Sequence, residues 1–456
     1  MADRALLPPL PDAFSDAFSD RLTTARSYAT WLLAHGVQRR LLTRAAARGD
    51  LIARLSVDPQ VVADPFATYE QLRARGPLSD NGLVHGTVDH AVCNEVLRSD
   101  AFNTGGGHAE LPVPLRRLLH RLLDPAALGP IDPPSMLVVD PPVHTHYRKQ
   151  VARAFTARKV GRLADRVEVV AERLLDELAG TDEFDLVERY ASLLPVAVIA
   201  DLLGVSEADH GLLLELGNRA AVTLDPALTW RQYRSADTAL RDMHRWFADH
   251  VASLRREPGD DLISQLATDT GPDALDEVAL HQVGLLVLGA GFETTVNLIG
   301  NAVALLDAHP DQLAWLLADD ERWPGAVEEV LRHQSPVQVT LRAANTDVEV
   351  AGHTLRSGSG VLLFLGGANR DPAVFTDPAA FDVARPNAGE HLAFSAGVHF
   401  CLGASLARLE TAVALRVLYR RHPQLRLAGA PARRRTRVLR GFEQLPVTTR
   451  AHSSVG

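Results

Sequence analysis

Cysteine is scarce: the chain of 456 residues has only Cys93 and Cys401. Two thiols cannot build a disulfide framework or a cysteine-rich zinc site. Lysine is scarcer in proportion to arginine, at 149 and 159 only, which we read as genomic composition bias. An excess of positive charge is also missing. The formal net charge of −9 argues against a dedicated nucleic-acid binder. No run of about 18 uninterrupted apolar residues occurs, so no membrane-spanning helix or integral membrane association is expected. The start, MADRALLPPLPDAFSD, lacks the basic region and apolar run of a signal peptide, and a cytoplasmic location is expected. Internal repeats and regular βαβ alternation are absent as well.

What is present suffices for a large core, with 46% hydrophobic residues. Residues 1 to about 20, rich in Pro, Asp and Ser, are expected to be disordered or loosely attached. RSYATWLLAHGVQRRLLTRAAARGDLIARL then shows apolar residues at helical spacing, with arginines on the other face. Such a helix could lie on a membrane surface, but packing on its own domain is the plainer reading. We therefore divide the chain into an N-terminal extension, 1–57, and a single domain, 58–456. Helical patterns predominate beyond it, at 160–180, 236–255, 277–308, 312–333 and 404–421. DVEVAGHTL and VLLFLGG read as strands. The fold class is mainly α with a minor β region. Residues 103–135 form an irregular stretch long enough for a lid or pocket loop.

LHQVGLLVLGAGFETTVNLIGNAVALL is apolar nearly all round, the mark of a buried helix. Gly289, Ala290 and Gly291 precede Glu293 and Thr294 within it. Helical glycines are costly, so a bulky neighbour or a local widening is expected. A carboxylate beside a hydroxyl in an apolar helix is costly unless paired or functional. Together they suggest a proton-delivery pair beside a flat or bulky ligand. The rival reading is a strand entering a dinucleotide loop, with Asp307 on a ribose. It fails on length, because the 12 residues from 295 to 306 cannot supply both a helix and a second strand.

In LVVDPPVHTHYRKQVARAF, Asp140 is a candidate cap and Pro141 suits a first turn. His144 and Arg148 then share a helix face that could grip carboxylates. AVEEVLRHQSPV spaces Glu329 and Arg332 as an ordinary helical ion pair. ANRDPAVFTDPAAFDVARPN, ending near Arg385, reads as a long ordered loop.

Cys401 lies in HLAFSAGVHFCLGASLARLE, between glycines and just ahead of a helix. It could be a buried structural thiol, or a nucleophile activated by the helix start with His399 as base. As a metal ligand it would be a lone thiolate, which suits haem iron and little else. The segment from Phe394 through Gly397, His399 and Cys401 to Gly403 matches FxxGxHxCxG at every defined position. That pattern resembles the haem-thiolate signature of the cytochrome P-450 family. AGFETT is similar to the family's oxygen-activating helix, EEVLR to its ExxR helix, and ANRDPAVFTDPAAFDVARPN to its meander. DPPVHTHYR resembles its haem-contacting helix. The resemblance covers roughly 58–450, and is greatest to soluble actinobacterial, particularly mycobacterial, members. His146 departs from the arginine common at that position.

The resemblance implies a triangular fold with haem b (iron protoporphyrin IX) between the acid–alcohol helix and the cysteine-loop helix. Cys401 would be the axial thiolate. Gly397 and Gly403 would let the loop turn about the sulfur, and Phe394 would pack near it. His144, Arg148, Arg342 and His399 would bind the propionates, and Ala290 would border haem and substrate. Glu329, Arg332 and Arg385 would form a structural triad. Thr294 and Glu293 would handle protons. The implied activity is monooxygenation of a small apolar molecule with O2 and with electrons from a ferredoxin and its reductase. Arg408, Arg416, Arg420 and Arg421 would be either their docking face or an ordinary solvated helix face. A peroxide-driven peroxygenase and a non-catalytic haem protein are the alternatives; the acid–alcohol pair speaks against both.

Overall fold

A computed structural model describes residues 24–105 and 113–450. The apolar segment around 290 forms one continuous helix, Glu277–Ala308, opened by the Asp276 carboxylate, which accepts from the Ala279 amide. By length and composition it could cross a membrane, yet 67% of its apolar window is buried inside the protein. Helices Leu193–Leu203, Trp230–Arg256 and Ala404–Arg421 pack around it. No local widening interrupts it. Gly291 is needed because a Cβ there would come within 2.8 Å of Ile199, whereas Gly289 faces open space.

Amphipathic periodicity located the other long helices, with adjusted ends. The 236–255 pattern extends to Trp230–Arg256, because Thr229 and Gln232 form a reciprocal cap at its start. The 160–180 pattern shrinks to Ala164–Asp176. The 312–333 pattern is two helices, Pro310–Leu317 and Trp323–His333. Asp319 breaks it by capping a short 3-10 turn, and Pro324 suits the first turn of the second helix. The 103–135 stretch is not wholly irregular, since it holds helix Val113–Leu122 and the turn Pro125–Ala127. Residues 106–112 lie outside the described ones, as do 1–23, which include the stretch 1 to about 20 expected to be disordered or loosely attached.

The β region is small. A five-stranded sheet runs Ser79–Asp80, His85–Thr87, Gly360–Leu363, Thr340–Ala344, Phe102–Asn103. Only His85–Thr87 and Gly360–Leu363 are parallel in it. DVEVAGHTL folds into the hairpin Val348–Val350 and His353–Leu355. Ala351 and Gly352 both take positive φ at its turn, as a tight right-twisted hairpin requires.

At the N-terminal side, a helix over 24–47 contains a π turn, Leu32–Gly36. Trp31 donates to the Leu228 carbonyl at 2.9 Å and Arg39 to that of Ala227 at 3.0 Å. Leu51, Ile52 and Leu55 join the cluster that holds Tyr69, Leu72 and Phe364.

Glu329 and Arg332 are fully buried, joined by two 2.7 Å contacts. Arg385 reaches the same carboxylate at 3.2 Å. The remaining Arg332 donors go to the carbonyls of Asn369, Pro378 and Ala380. The Asp382 amide donates to Glu329 at 2.9 Å. A buried charge pair tolerates loss of one member poorly. Arg332→Ala is expected to lose about 3–5 kcal/mol of stability, read by chemical denaturation. A loss below about 1 kcal/mol would show that the pair does not organise this segment.

Candidate functional site

Cys401 follows the 3-10 turn Gly397–His399 and precedes helix Ala404–Arg421. Its amide donates to the Phe394 carbonyl at 2.9 Å, closing a tight loop. Gly397 has φ +68°, and a Cβ there would lie 2.2 Å from the Leu97 carbonyl oxygen. The Gly403 amide is aimed at the sulfur. Burial pushes the thiol up, against that amide and the nearby Arg148 and Arg408 charges. The side chain is nonetheless accessible while protein encloses it, so it faces an internal cleft. Phe394 lies under the Arg408 guanidinium at 4.5 Å and supplies the loop's acceptor.

The long helix contributes a second accessible group. Ala290 is exposed and Thr294 half-exposed, although Val287, Leu288 and Phe292 around them are buried. Leu402, beside Cys401, packs on the cluster containing Val287 and Leu288, so the thiol loop and this helix border one interior region. Thr294 Oγ1 donates to the Ala290 carbonyl at 3.0 Å. Glu293 points elsewhere. It is 4% exposed and meets Arg434 Nη1 at 2.7 Å. Burial raises its pKa, with Arg434 opposing, so the carboxyl is biased toward holding a proton. Arg434 was not singled out in the sequence, since nothing in the RRRTR run points to a partner 141 residues away.

The side chains expected to bind carboxylates come from three segments. The His144 ring lies 4.2 Å from that of His399. Arg148 Nη2 donates to the Phe400 carbonyl at 2.7 Å, next to Cys401. Arg342, 7% exposed, uses Nη1 on Thr340 and the Leu341 carbonyl. Its Nε and Nη2 have no acceptor among the described residues, and burial pushes its pKa down to about 10. Such a cation favours an anionic ligand. His144 departs from expectation as a charge. Burial, then His399 and Arg148, push it down to about 4, so at neutral pH it is an uncharged donor.

Asp140 also departs from its expected role. Its carboxylate caps no helix; the helix Val143–Ala152 has no side-chain cap. It accepts from the Thr104 amide and hydroxyl at 3.1 Å and meets His399 Nε2 at 3.5 Å. Burial resists its ionisation, but those partners hold the carboxyl below the usual range. It thereby orients His399. His146 packs on the Tyr147 ring at 5.7 Å and takes no part.

The arginines after Cys401 are paired within the protein. Arg408 binds Glu328, Arg416 binds Glu168, and Arg420 and Arg421 bind Glu172. They fasten this helix to Ala164–Asp176 and Trp323–His333.

Among the described residues no three His, Cys, Asp or Glu side chains gather to hold a metal. The site offers one thiol, an amide aimed at it, and a buried guanidinium with spare donors. That set fits a prosthetic group that brings its own chelated iron and its own carboxylates.

The Cytochrome P450 family model matches residues 324–422. The putative cytochrome P450 140 of Mycobacterium tuberculosis is 49% identical over 423 residues, covering 92% of this chain and 96% of its own. The chain belongs to the cytochrome P450 family. The 6-deoxyerythronolide B hydroxylase of Saccharopolyspora erythraea is 43% identical over 322 residues, covering 69% of this chain and 77% of its own. The ligand-free CYP164A2 structure of Mycobacterium smegmatis superposes with TM-score 0.79 at 35% identity, covering 87% of this chain and 99% of that one. This P450 therefore has the triangular, mainly helical fold expected, and is a haem-dependent monooxygenase.

Two expectations follow from the loop of this P450. Gly397→Ala would strain a positive φ and collide with Leu97. It should lower the haem-to-protein absorbance ratio of purified protein at least about twofold, and an unchanged ratio would refute the steric reading. Glu328 tests the support of the loop. Burial opposes its ionisation, but hydrogen bonds from His391 and Arg408 pull it from its ordinary 4.5 to about 2. A lowered pKa contributes stability above the unfolded value. That contribution, on the order of 2 kcal/mol after allowing for partial exposure, is lost as pH falls from about 4.5 to about 2. Glu328→Gln should be less stable at pH 7 and show a flatter acid limb in denaturation. Parallel acid limbs would count against the pairing.

Proposed function

We propose that this P450 is a cytoplasmic enzyme that hydroxylates a small apolar molecule, using haem b, O2 and electrons from a separate ferredoxin and its reductase. The observation that carries the reading is an accessible Cys401 thiol enclosed in a cleft bordering the helix that carries Thr294 and Glu293. The hydroxylase activity named for the Saccharopolyspora relative supports hydroxylation as the reaction.

Cys401 would hold the haem, with Gly403 and Arg148 moderating the charge on sulfur. Arg342, Arg148, His399 and His144 would take its carboxylates, the last as a neutral donor. Asp140 orients His399 for that contact. Haem, when bound, supplies the activation of O2 and the oxidation of a C–H bond. Thr294 would present its hydroxyl proton at Oγ1, releasing its bond to the Ala290 carbonyl as it does so. Glu293, biased toward protonation, would resupply that proton by turning its carboxyl from Arg434 toward Thr294. Ala290, exposed on the same helix, would border the substrate side.

Cys401→Ala should abolish the red-shifted Soret band of the reduced protein under carbon monoxide. A normal band in that variant would sink the ligand assignment. Thr294→Ala should keep haem and band while product formation with a ferredoxin system falls about 100-fold. Turnover with hydrogen peroxide alone that matches the ferredoxin system would point to a peroxygenase. Full product formation in Thr294→Ala would remove Thr294 from the chemistry.

A further inference from the structure

The helix over 24–47 leaves four large apolar side chains in solvent. Tyr28 is 47% exposed, Leu32 37%, Val37 48% and Leu41 45%. Their sequence steps are four, five and four. The step of five falls on the π turn, where the Val37 amide donates to the Leu32 carbonyl. The extra residue keeps Val37 and Leu41 on the line begun by Tyr28 and Leu32. An unbroken α-helix would turn the second pair about 100° away. The opposite face is fastened to the protein, with Ser27, Thr30, Ala34 and His35 buried.

Charge follows the same surface. Residues 24–49 include five arginines and no Asp or Glu, in a chain of net charge −9. Arg40, Arg44 and Arg48 are exposed and have no acidic partner among the described residues. Arg231 and Arg234 are likewise exposed and unpaired. Their helix abuts this one through Tyr28 and Trp230, with ring centroids 5.2 Å apart. By contrast, Arg408, Arg416, Arg420 and Arg421 on the helix after Cys401 are all neutralised within the protein. On the other side, Arg26 and Thr30 bond the Leu122 carbonyl of helix Val113–Leu122. That helix adds exposed Leu115 and Leu118, and it too contains no acid.

An apolar stripe alone would suit many partners. A stripe flanked by unneutralised arginines, without one acidic side chain in its helix, matches a surface that is both apolar and anionic. We infer that this face docks on an anionic lipid bilayer, the 24–47 helix lying in the plane of the interface. The inference is independent of the monooxygenase reading.

The test uses the full-length haem-loaded protein and co-sedimentation with vesicles of equal parts phosphatidylglycerol and phosphatidylcholine. Binding is expected at low ionic strength, weaker with added salt, and weaker again on phosphatidylcholine alone. The triple variant Arg40→Glu, Arg44→Glu, Arg48→Glu should lose at least about tenfold in partitioning. The double variant Leu32→Ser, Leu41→Ser should lose a similar factor, with carbon monoxide spectrum and melting temperature unchanged in both. No binding at low salt, equal binding to neutral vesicles, or unaffected binding by the variants overturns the inference. So does dimerisation of the wild type that these substitutions abolish, because the face would then belong to a second copy.

Discussion

The buried carboxylate of Glu329 is the constraint on which the rest depends. Two charges placed out of water must satisfy every donor and acceptor they carry, and here Arg332 does so by capturing carbonyls from 369, 378 and 380. A segment with almost no regular structure is thereby given one conformation. It leads directly to the thiol loop, because Asn369 also accepts from the Leu392 amide and donates to Ser335. The charge pair thereby sets where the chain emerges into the phenylalanine–cysteine turn.

Around that anchor, the site separates charges by environment. Arg342 keeps spare donors in a buried place, His144 is made neutral chiefly by burial, and Asp140 is held ionised by its contacts with His399 and Thr104. On the long helix, Glu293 is held protonation-prone only a residue from a hydroxyl. One fold thus keeps a cationic side and a proton-holding side with different groups.

Much of this was legible from local patterns. Helices showed through their 3.6-residue apolar period, and the cysteine loop through the spacing of Phe394, Gly397, His399 and Cys401. Contacts between distant segments left no such trace. Asp140 reads locally as a cap ahead of Pro141, because its actual partners, Thr104 and His399, are brought to it only by the fold. Arg434 is one of several arginines in a basic run until the C-terminal strands place it on Glu293. The charge of His144 depends on burial, which residue type alone does not encode. The arginines after Cys401 looked available for a partner because their acids lie on another helix.

Gly397 carries one more consequence. Its backbone presses against the Leu97 carbonyl, so the turn that aims the thiol is moulded on a helix end roughly 300 residues upstream. Contacts of such high sequence separation form late, after the intervening chain has collapsed. The cysteine loop therefore takes its final shape only when the N-terminal and C-terminal parts of the chain have met. Capture of the prosthetic group then becomes a report on completed folding, and a chain released early would hold a loose thiol in place of a site.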